Sequence, residues 1–74
     1  MAANEYLVDE VKLTFSTYSK FKEFVALWGY EESETQIGGV VFWQCDTVRA
    51  AVYPEPPDAE LHHDTPVVVI FTRR

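Results

Sequence analysis

The spacing of hydrophobic residues predicts a strand followed by a helix in the first part of the chain. Over residues 10–15, Val11, Leu13 and Phe15 alternate with polar residues. This two-residue period is typical of a strand with one buried face. Over residues 18–28, apolar side chains recur three and four positions apart. That spacing places them along one side of a helix, which must therefore pack on one face of a sheet.

The ends of the predicted helix carry suitable capping residues. Ser16 and Thr17 fit the N-cap because their hydroxyls can accept a hydrogen bond from a free backbone N–H. Gly29 is expected to end the helix because glycine adopts a left-handed conformation without steric cost. The buried stripe is expected to consist of Tyr18, Phe21, Phe24, Val25 and Trp28. A buried Trp28 predicts that Trp28→Ala unfolds the protein, whereas Trp43→Ala, in a later strand, leaves the core intact.

The rest of the chain predicts four more strands. Residues 30–36 are polar and fit a short edge strand, and the glycines at 38–39 mark a turn. Residues 40–45 and 48–53 predict an antiparallel hairpin. Residues 67–71 form a β-branched run, typical of a strand buried on both faces or paired with another chain. The expected fold class is α+β, with a βαβββ order, one helix on a mixed or antiparallel sheet, and an extra C-terminal strand.

The whole chain, 1–74, is expected to form one small domain. It divides into a core module over 6–54, an acidic loop over 55–66 and a C-terminal strand over 67–72. A chain of this length buries only about 60% of its unfolded surface, so it is marginally stable alone. Its single cysteine cannot form an internal disulfide. Small size and an aromatic content of 15% favour self-association, so a homodimer is expected.

The charge balance restricts the classes of partner. Twelve acidic and six basic residues give a net charge of −6. No basic patch is available to release counterions, so nucleic acid and anionic membrane are not expected partners. The charge fits a small cationic ligand, a basic protein partner or solubility alone. Residues 1–6 do not resemble a signal peptide and residues 67–71 are too short to span a bilayer, so a cytoplasmic location is expected.

Candidate catalytic chemistry is sparse in this chain. Cys45 lies in a predicted strand without a histidine nearby in sequence, which favours packing over nucleophilic catalysis. His62 and His63 adjoin acidic residues, so either a surface metal site or an ordinary solvated loop fits them. Adjacent side chains on an extended segment point in opposite directions, which disfavours the metal site. No catalytic residue and no cofactor is therefore expected.

Short motifs between residues 10 and 56 resemble those of a known family. They are Phe24-Val25 with the helix end Leu27-Trp28-Gly29-Tyr30, the strand Val-Val-Phe-Trp at 40–43, and Ala-Ala-Val-Tyr-Pro at 50–54. This succession resembles one βαβββ module of the vicinal oxygen chelate superfamily, which includes glyoxalase I, extradiol dioxygenases and bleomycin-resistance proteins. It covers about two thirds of the chain. The resemblance implies that two modules, here from two copies, place their sheets together around a cup-shaped cavity.

The resemblance also bears on metal binding. It aligns Glu10 with a metal ligand of the first strand, and Ala51 with the second ligand, which is usually Glu. Alanine cannot ligate a metal, so two copies would offer only two carboxylates, fewer than an open catalytic site needs. The implied branch is the non-catalytic, bleomycin-resistance type. The weak metal candidates are Glu10, His62 and His63.

Strand alternation indicates which residues would line the cup. Glu10 and Lys12 point away from the helix if the apolar residues of the first strand meet it. Trp43 and Tyr53 are expected to form aromatic walls, with Glu10, Lys12 and Arg49 orienting a ligand. Alternatively, the two aromatic residues pack a dimer interface.

Three functions remain open on this evidence. The first is a homodimeric protein that binds or sequesters a small cationic or aromatic ligand without chemistry. The second is a small acidic inhibitor of the phage type that covers a basic protein surface. Its acidic residues are Glu31, Glu32, Glu34, Glu55, Asp58, Glu60 and Asp64. The third is a metal-dependent lyase or isomerase of the same superfamily.

Overall fold

Residues 10–73, the part that this computed structural model describes, form one helix packed on an antiparallel sheet. The elements in chain order are β1 (Glu10–Phe15), α1 (Tyr18–Ala26), β2 (Glu31–Ile37), β3 (Val40–Gln44), β4 (Val48–Pro54) and β5 (Val67–Arg73). The strand order across the sheet is β1-β5-β4-β3-β2, and every neighbouring pair is antiparallel. The predicted α+β class with one helix on the sheet is confirmed.

The last strand, β5, lies inside the sheet. Phe71 is opposite Val11 of β1 on one side and opposite Ala50 of β4 on the other. The partner edge that the sequence left open therefore belongs to this chain and not to a copy. Val67 and Val69 are buried on the helix side, whereas Val68 and Ile70 on the opposite face are only partly buried, so β5 is an inner strand but is not buried on both faces as expected. Because β5 lies between β1 and β4, β1 is paired within the sheet to the other strands of the predicted 6–54 module only through β5. Residues 6–9 of that module lie outside the described range.

The helix has the predicted N-cap but ends earlier than predicted, with Leu27 as its C-cap. Thr17 is the N-cap, and its side-chain oxygen accepts a hydrogen bond of 3.1 Å from the backbone N–H of Lys20. Gly29 ends the last turn with a φ of +74°. The backbone N–H groups of Trp28 and Tyr30 both donate to the carbonyl of Val25, at 3.0 and 3.3 Å. Within residues 10–73 no helix is long and apolar enough to cross a membrane, and the cytoplasmic location stays a prediction.

The loop between β4 and β5 is bound to the start of α1. The backbone N–H of Tyr18 donates to the carbonyl of Thr65 at 2.8 Å, and that of Ser19 to the carbonyl of His63 at 2.9 Å. These bonds satisfy N–H groups that have no partner within a helix. Thr65 is buried, and its hydroxyl donates to the carbonyl of Glu60 at 2.9 Å. The acidic loop is therefore an integral part of the fold.

The core lies between the first half of α1 and the middle of the sheet. Tyr18, Phe21 and Val25 of the helix are buried. They pack against Ala50, Val52, Val67 and Val69 of the two central strands. The ring of Phe21 is fully buried, with ring centroids at 5.5 Å from Phe15 and 5.8 Å from Trp43. Phe21 thus connects the helix with β1 and β3 at once.

The two tryptophans occupy positions opposite to those expected. Trp43 lies opposite Ala50, a core residue, so its side chain is on the helix side of the sheet. Its Nε1 donates a hydrogen bond of 3.0 Å to the hydroxyl of Tyr18. Trp28 follows the end of α1 and is 64% exposed. The expected burial of Trp28, and a Trp43 outside the core, are both wrong, because the helix ends at Ala26 and the hairpin register points Trp43 inwards.

We expect Phe21→Ala to lower the free energy of unfolding by about 3–5 kcal/mol, because it leaves a cavity at the centre of the core. Trp28→Ala is the matched control and should change it by less than about 1 kcal/mol, since Trp28 is mostly exposed. Urea unfolding followed by circular dichroism measures both values. Equal losses of unfolding free energy in Phe21→Ala and Trp28→Ala would contradict the position of the core in the structure.

Candidate functional site

The helix covers only one end of the sheet. At that end, the side chains of Val67 and Val69 are fully buried beneath it. Towards the other end, Val11 and Leu13 on the same side of β1 remain exposed. The uncovered part forms an open groove of about 530 Å³ between the end of α1, the sheet and the β3–β4 turn. This volume lies in the range of pockets that hold small organic ligands.

The groove is mainly apolar, with aromatic rings on the floor and one wall. Its residues are Val11, Leu13, Val48 and Phe71 on the sheet, Phe24 and Trp28 on the helix side, and Tyr30, Cys45 and Thr47 at one end. The ring of Phe71 is the centre of the floor. Its centroid lies 6.2 Å from that of Phe24 and 6.2 Å from that of Tyr30, both edge-on. Edge-on rings leave apolar surface on which a flat molecule can lie.

The end of the groove carries its polar groups. The backbone N–H of Cys45 donates to the carbonyl of Val48 at 2.9 Å, which closes the β3–β4 turn. The pKa of the Cys45 thiol is lowered, first by the backbone N–H of Thr47 and then by bonds from the Val48 N–H and the hydroxyls of Thr47 and Tyr30, against a raising effect of burial. The pKa of Tyr30 is raised, mainly by burial and also by the charge of the Cys45 thiolate. This end therefore carries hydrogen-bonding groups, in contrast to the apolar rest of the groove.

Four of the five predicted ligand-binding residues lie on the other face of the sheet. Glu10 is opposite Thr72, and Thr72 is opposite Arg49, so the three form one row across the strands. By the same alternation Lys12 and Tyr53 share that face. Trp43 does not join them. The aromatic wall expected from Trp43 and Tyr53 together is therefore wrong.

The open face offers little depth for a ligand. A recess of about 110 Å³ lies beside Arg49 and is bordered by Ser33, Ile37, Phe42 and Gln44. The Arg49 guanidinium carbon lies 5.9 Å from the centre of the Phe42 ring, so a cation–π contact occupies part of this surface. In one copy of the chain, the groove is about five times larger than this recess.

The three weak metal candidates are not brought together. Glu10 pairs with Thr72 at one end of β1, whereas the histidine loop leads into Val67 at the other end. Five residues of strand separate these ends by about 17 Å. His62 Nε2 lies 3.0 Å from Glu60 Oε2, and His63 Nδ1 lies 2.9 Å from Lys22 Nζ. Within the part of the chain that the structure describes, no three His, Cys, Asp or Glu residues form a group that could hold a metal ion.

Acidic residues from separate segments do meet. Glu32 of β2 and Glu60 of the β4–β5 loop border the same recess of about 400 Å³, together with Tyr18 and Gln36. The side chain of Glu34, the third acidic residue predicted to contribute on β2, lies outside the described part. Two carboxylates at one recess give this side of the molecule a local negative field.

The groove was not predicted from the sequence. The groove arises because the helix is shorter and narrower than the sheet that it packs on. A helix of nine residues spans about 14 Å, and a strand of six spans about 20 Å. One helix is also narrower than five strands, which extend over about 19 Å. Apolar residues on the helix side of β1 must therefore remain partly uncovered. This difference between the dimensions of the helix and the sheet was the signal from which the groove could have been predicted.

We expect the folded protein to be alkylated at Cys45 by iodoacetamide with a pH midpoint below that of the same chain unfolded in urea. The lowered pKa leaves more reactive thiolate at any given pH below the midpoint. Rates measured by mass spectrometry across a pH series give both midpoints. Coincident midpoints would contradict the hydrogen-bonded thiol at this turn.

Comparison with known proteins gives no family for this chain. No family model, no curated protein and no solved structure matches it. The resemblance to the vicinal oxygen chelate superfamily therefore stays a prediction from sequence motifs. What the chain can bind has to be argued from its own surfaces.

Proposed function

We propose that this chain is a non-catalytic binding protein that holds a small aromatic ligand in the groove beside α1. The observation that carries the proposal is the groove itself, which has about 530 Å³ of concave, mainly apolar space. Folded proteins rarely expose such surface without using it. The helix-side groove replaces the open face as the binding site, and the bleomycin-resistance type of binding protein remains the nearest functional class.

The lining of the groove specifies the chemistry of the ligand. Phe24, Trp28 and Phe71 offer ring surfaces for a flat apolar body. The hydroxyl of Tyr30 and the thiol of Cys45 offer hydrogen-bonding groups at one end. The protein's net charge of −6 disfavours anions. A neutral or cationic aromatic compound fits these groups best.

The position of the histidines favours binding over catalysis. Cys45 is the nucleophilic side chain at the groove, and nucleophilic catalysis normally requires a base beside the nucleophile. His63 is bonded through its carbonyl to the N–H of Ser19 at the start of the helix. The groove lies at the far end of that helix, beyond Phe24. The imidazoles are thus remote from the thiol.

We expect a panel of planar aromatic compounds to include neutral or cationic members that raise the melting temperature, and we expect Val48→Glu to weaken the binding of the neutral members about tenfold or more. Glu at position 48 would place a charge in the groove, while Arg73 directly opposite would offset its effect on folding. Thermal shift and titration of Trp28 fluorescence measure binding. At about 100 times Kd, a ligand stabilises by about 2.7 kcal/mol.

Tyr53→Glu is the control for this experiment. Position 53 lies on the same strand as position 48 but on the opposite face. It should leave ligand binding unchanged. Weaker binding by Tyr53→Glu alone would return the site to the open face, and no stabilisation by any compound would reject the binding function.

A second candidate function is the covering of a basic protein surface. The recess shared by Glu32 and Glu60 supports it, because two acidic segments distant in sequence meet there. A recess of about 400 Å³ with carboxylates at its border can take a Lys or Arg side chain of a partner. Acidic complementarity acts mainly through association rate and specificity.

We expect a lysine-rich peptide to bind with an affinity that falls as salt rises, and the double variant Glu32→Gln with Glu60→Gln to weaken it several-fold. The matched control is Glu10→Gln with Glu23→Gln, which removes the same charge from exposed positions elsewhere. Fluorescence anisotropy at several ionic strengths measures both. Equal losses for the two double variants would show a general charge effect and reject a site at this recess.

A further inference from the structure

The two edges of the sheet differ in their capacity to pair further. At one edge, β2 carries acidic residues and a register shift between Glu32 and Gln36. Charges and bulges of this kind prevent a further strand from adding. At the other edge, β1 runs in continuous register from Glu10 opposite Thr72 to Phe15 opposite Val67. Among residues 10–73 no strand pairs with the outer side of β1, so its outer backbone groups form a regular template.

The exposed apolar surface is concentrated beside β1. Val11 and Leu13 project from this strand on the helix side. Phe24 and Trp28 stand next to them across the groove. Leu27, three residues after Phe24 and on the same side of the helix, is 84% exposed. An apolar flank that continues from an open strand edge is typical of an interface.

Among the registers that pair β1 with a second copy and keep both helices on one side of the joined sheet, two overlap the strands most fully. In an antiparallel pair, directly opposed residues project from the same face of the sheet. The helix-side residues of β1 are odd-numbered, so both helices lie on one side only when odd-numbered residues oppose odd-numbered residues. One of them puts Lys12 directly opposite Lys12 of the second copy, which is unfavourable. The other puts Leu13 opposite Leu13, and Val11 opposite Phe15. It moves the two lysines to diagonal positions about 7–8 Å apart.

We propose that two copies of this chain pair through β1 about a two-fold axis at Leu13, forming one continuous ten-stranded sheet. The apolar residues of the two strands then form one ladder on the helix side. The Lys12 residues of the two copies then no longer lie directly opposite each other. Strand pairing and the apolar flank act together in one self-complementary surface, as two-fold symmetry requires.

The pairing also changes the groove. Val11 and Leu13 are its outer border in one copy. In the pair, the corresponding residues of the second copy continue the floor beyond that border, so two grooves meet at the axis. The pairing stands independently of ligand binding, whereas the joined site rests on the proposed function.

Sedimentation of the full chain over a concentration series tests the pairing. We expect a species of twice 8.5 kDa, and Leu13→Lys should convert it to the single mass. The control is Tyr53→Lys, since Tyr53 is 39% exposed and Leu13 40%, and Tyr53 lies on the opposite face in an inner strand. A single mass at every concentration, or a dimer that Leu13→Lys leaves intact, would overturn the proposal.

Disulfide trapping tests the register. In a Cys45→Ser background, Leu13→Cys should form a dimer on oxidation because opposed Cα atoms lie about 4.5–5.5 Å apart. Lys12→Cys should cross-link poorly, since diagonal positions exceed the range of about 4.4–6.8 Å that disulfides span. The reverse pattern would overturn the Leu13 axis.

The two proposals fail in different ways. If the unmodified chain is a monomer at every concentration but binds aromatic compounds, only the pairing proposal fails. If the protein is a dimer but no compound binds, only the ligand proposal fails. A monomer in which the outward-facing amides of β1, those not bonded to β5, resist hydrogen exchange would mean that β1 is covered within its own chain, which overturns the pairing.

Discussion

One short helix has to cover one side of a five-stranded sheet, and it cannot do so. It seals the end where Phe21 meets the rings of Phe15 and Trp43, and the loop that carries Thr65 closes that end further. All fully buried large side chains among the described residues belong to this sealed region. At the other end the same sheet surface is left bare. The buried core at one end of the sheet and the open groove at the other thus both follow from the short length of the helix.

The sequence was sufficient for most of the fold because local signals agreed with one another. Alternation identified β1 to the residue, and Thr17 and Gly29 bound the helix as their chemistry predicts. The position of β5 was beyond such reasoning. A run of β-branched residues predicts a buried strand. Which strands lie beside it depends on the topology of the whole sheet, and no local sequence pattern specifies that topology.

The candidate site was less predictable, and Trp43 illustrates why. A two-residue turn at positions 46–47 opposes Cys45 to Val48, which in turn opposes Trp43 to Ala50. That register puts Trp43 and Tyr53 on opposite faces of the sheet. The sequence contained this information, but reading it required following the alternation of side chains through the turn. The groove required more. Its residues come from four elements (β1, α1, β4 and β5), from the segment between α1 and β2, and from the turn between β3 and β4, and only the assembled structure brings them together.

The central place of β5 has a consequence for synthesis of the chain. Phe15 finds its partner in Val67, about fifty residues later, and the helix start waits for carbonyls of residues 63 and 65. A ribosome that adds about 5–20 residues per second therefore presents β1 and the helix to the cell, unpaired, for several seconds. Until β5 emerges, the apolar side of β1 has no strand beside it. A net charge of −6 opposes association of these exposed apolar segments before the sheet is complete.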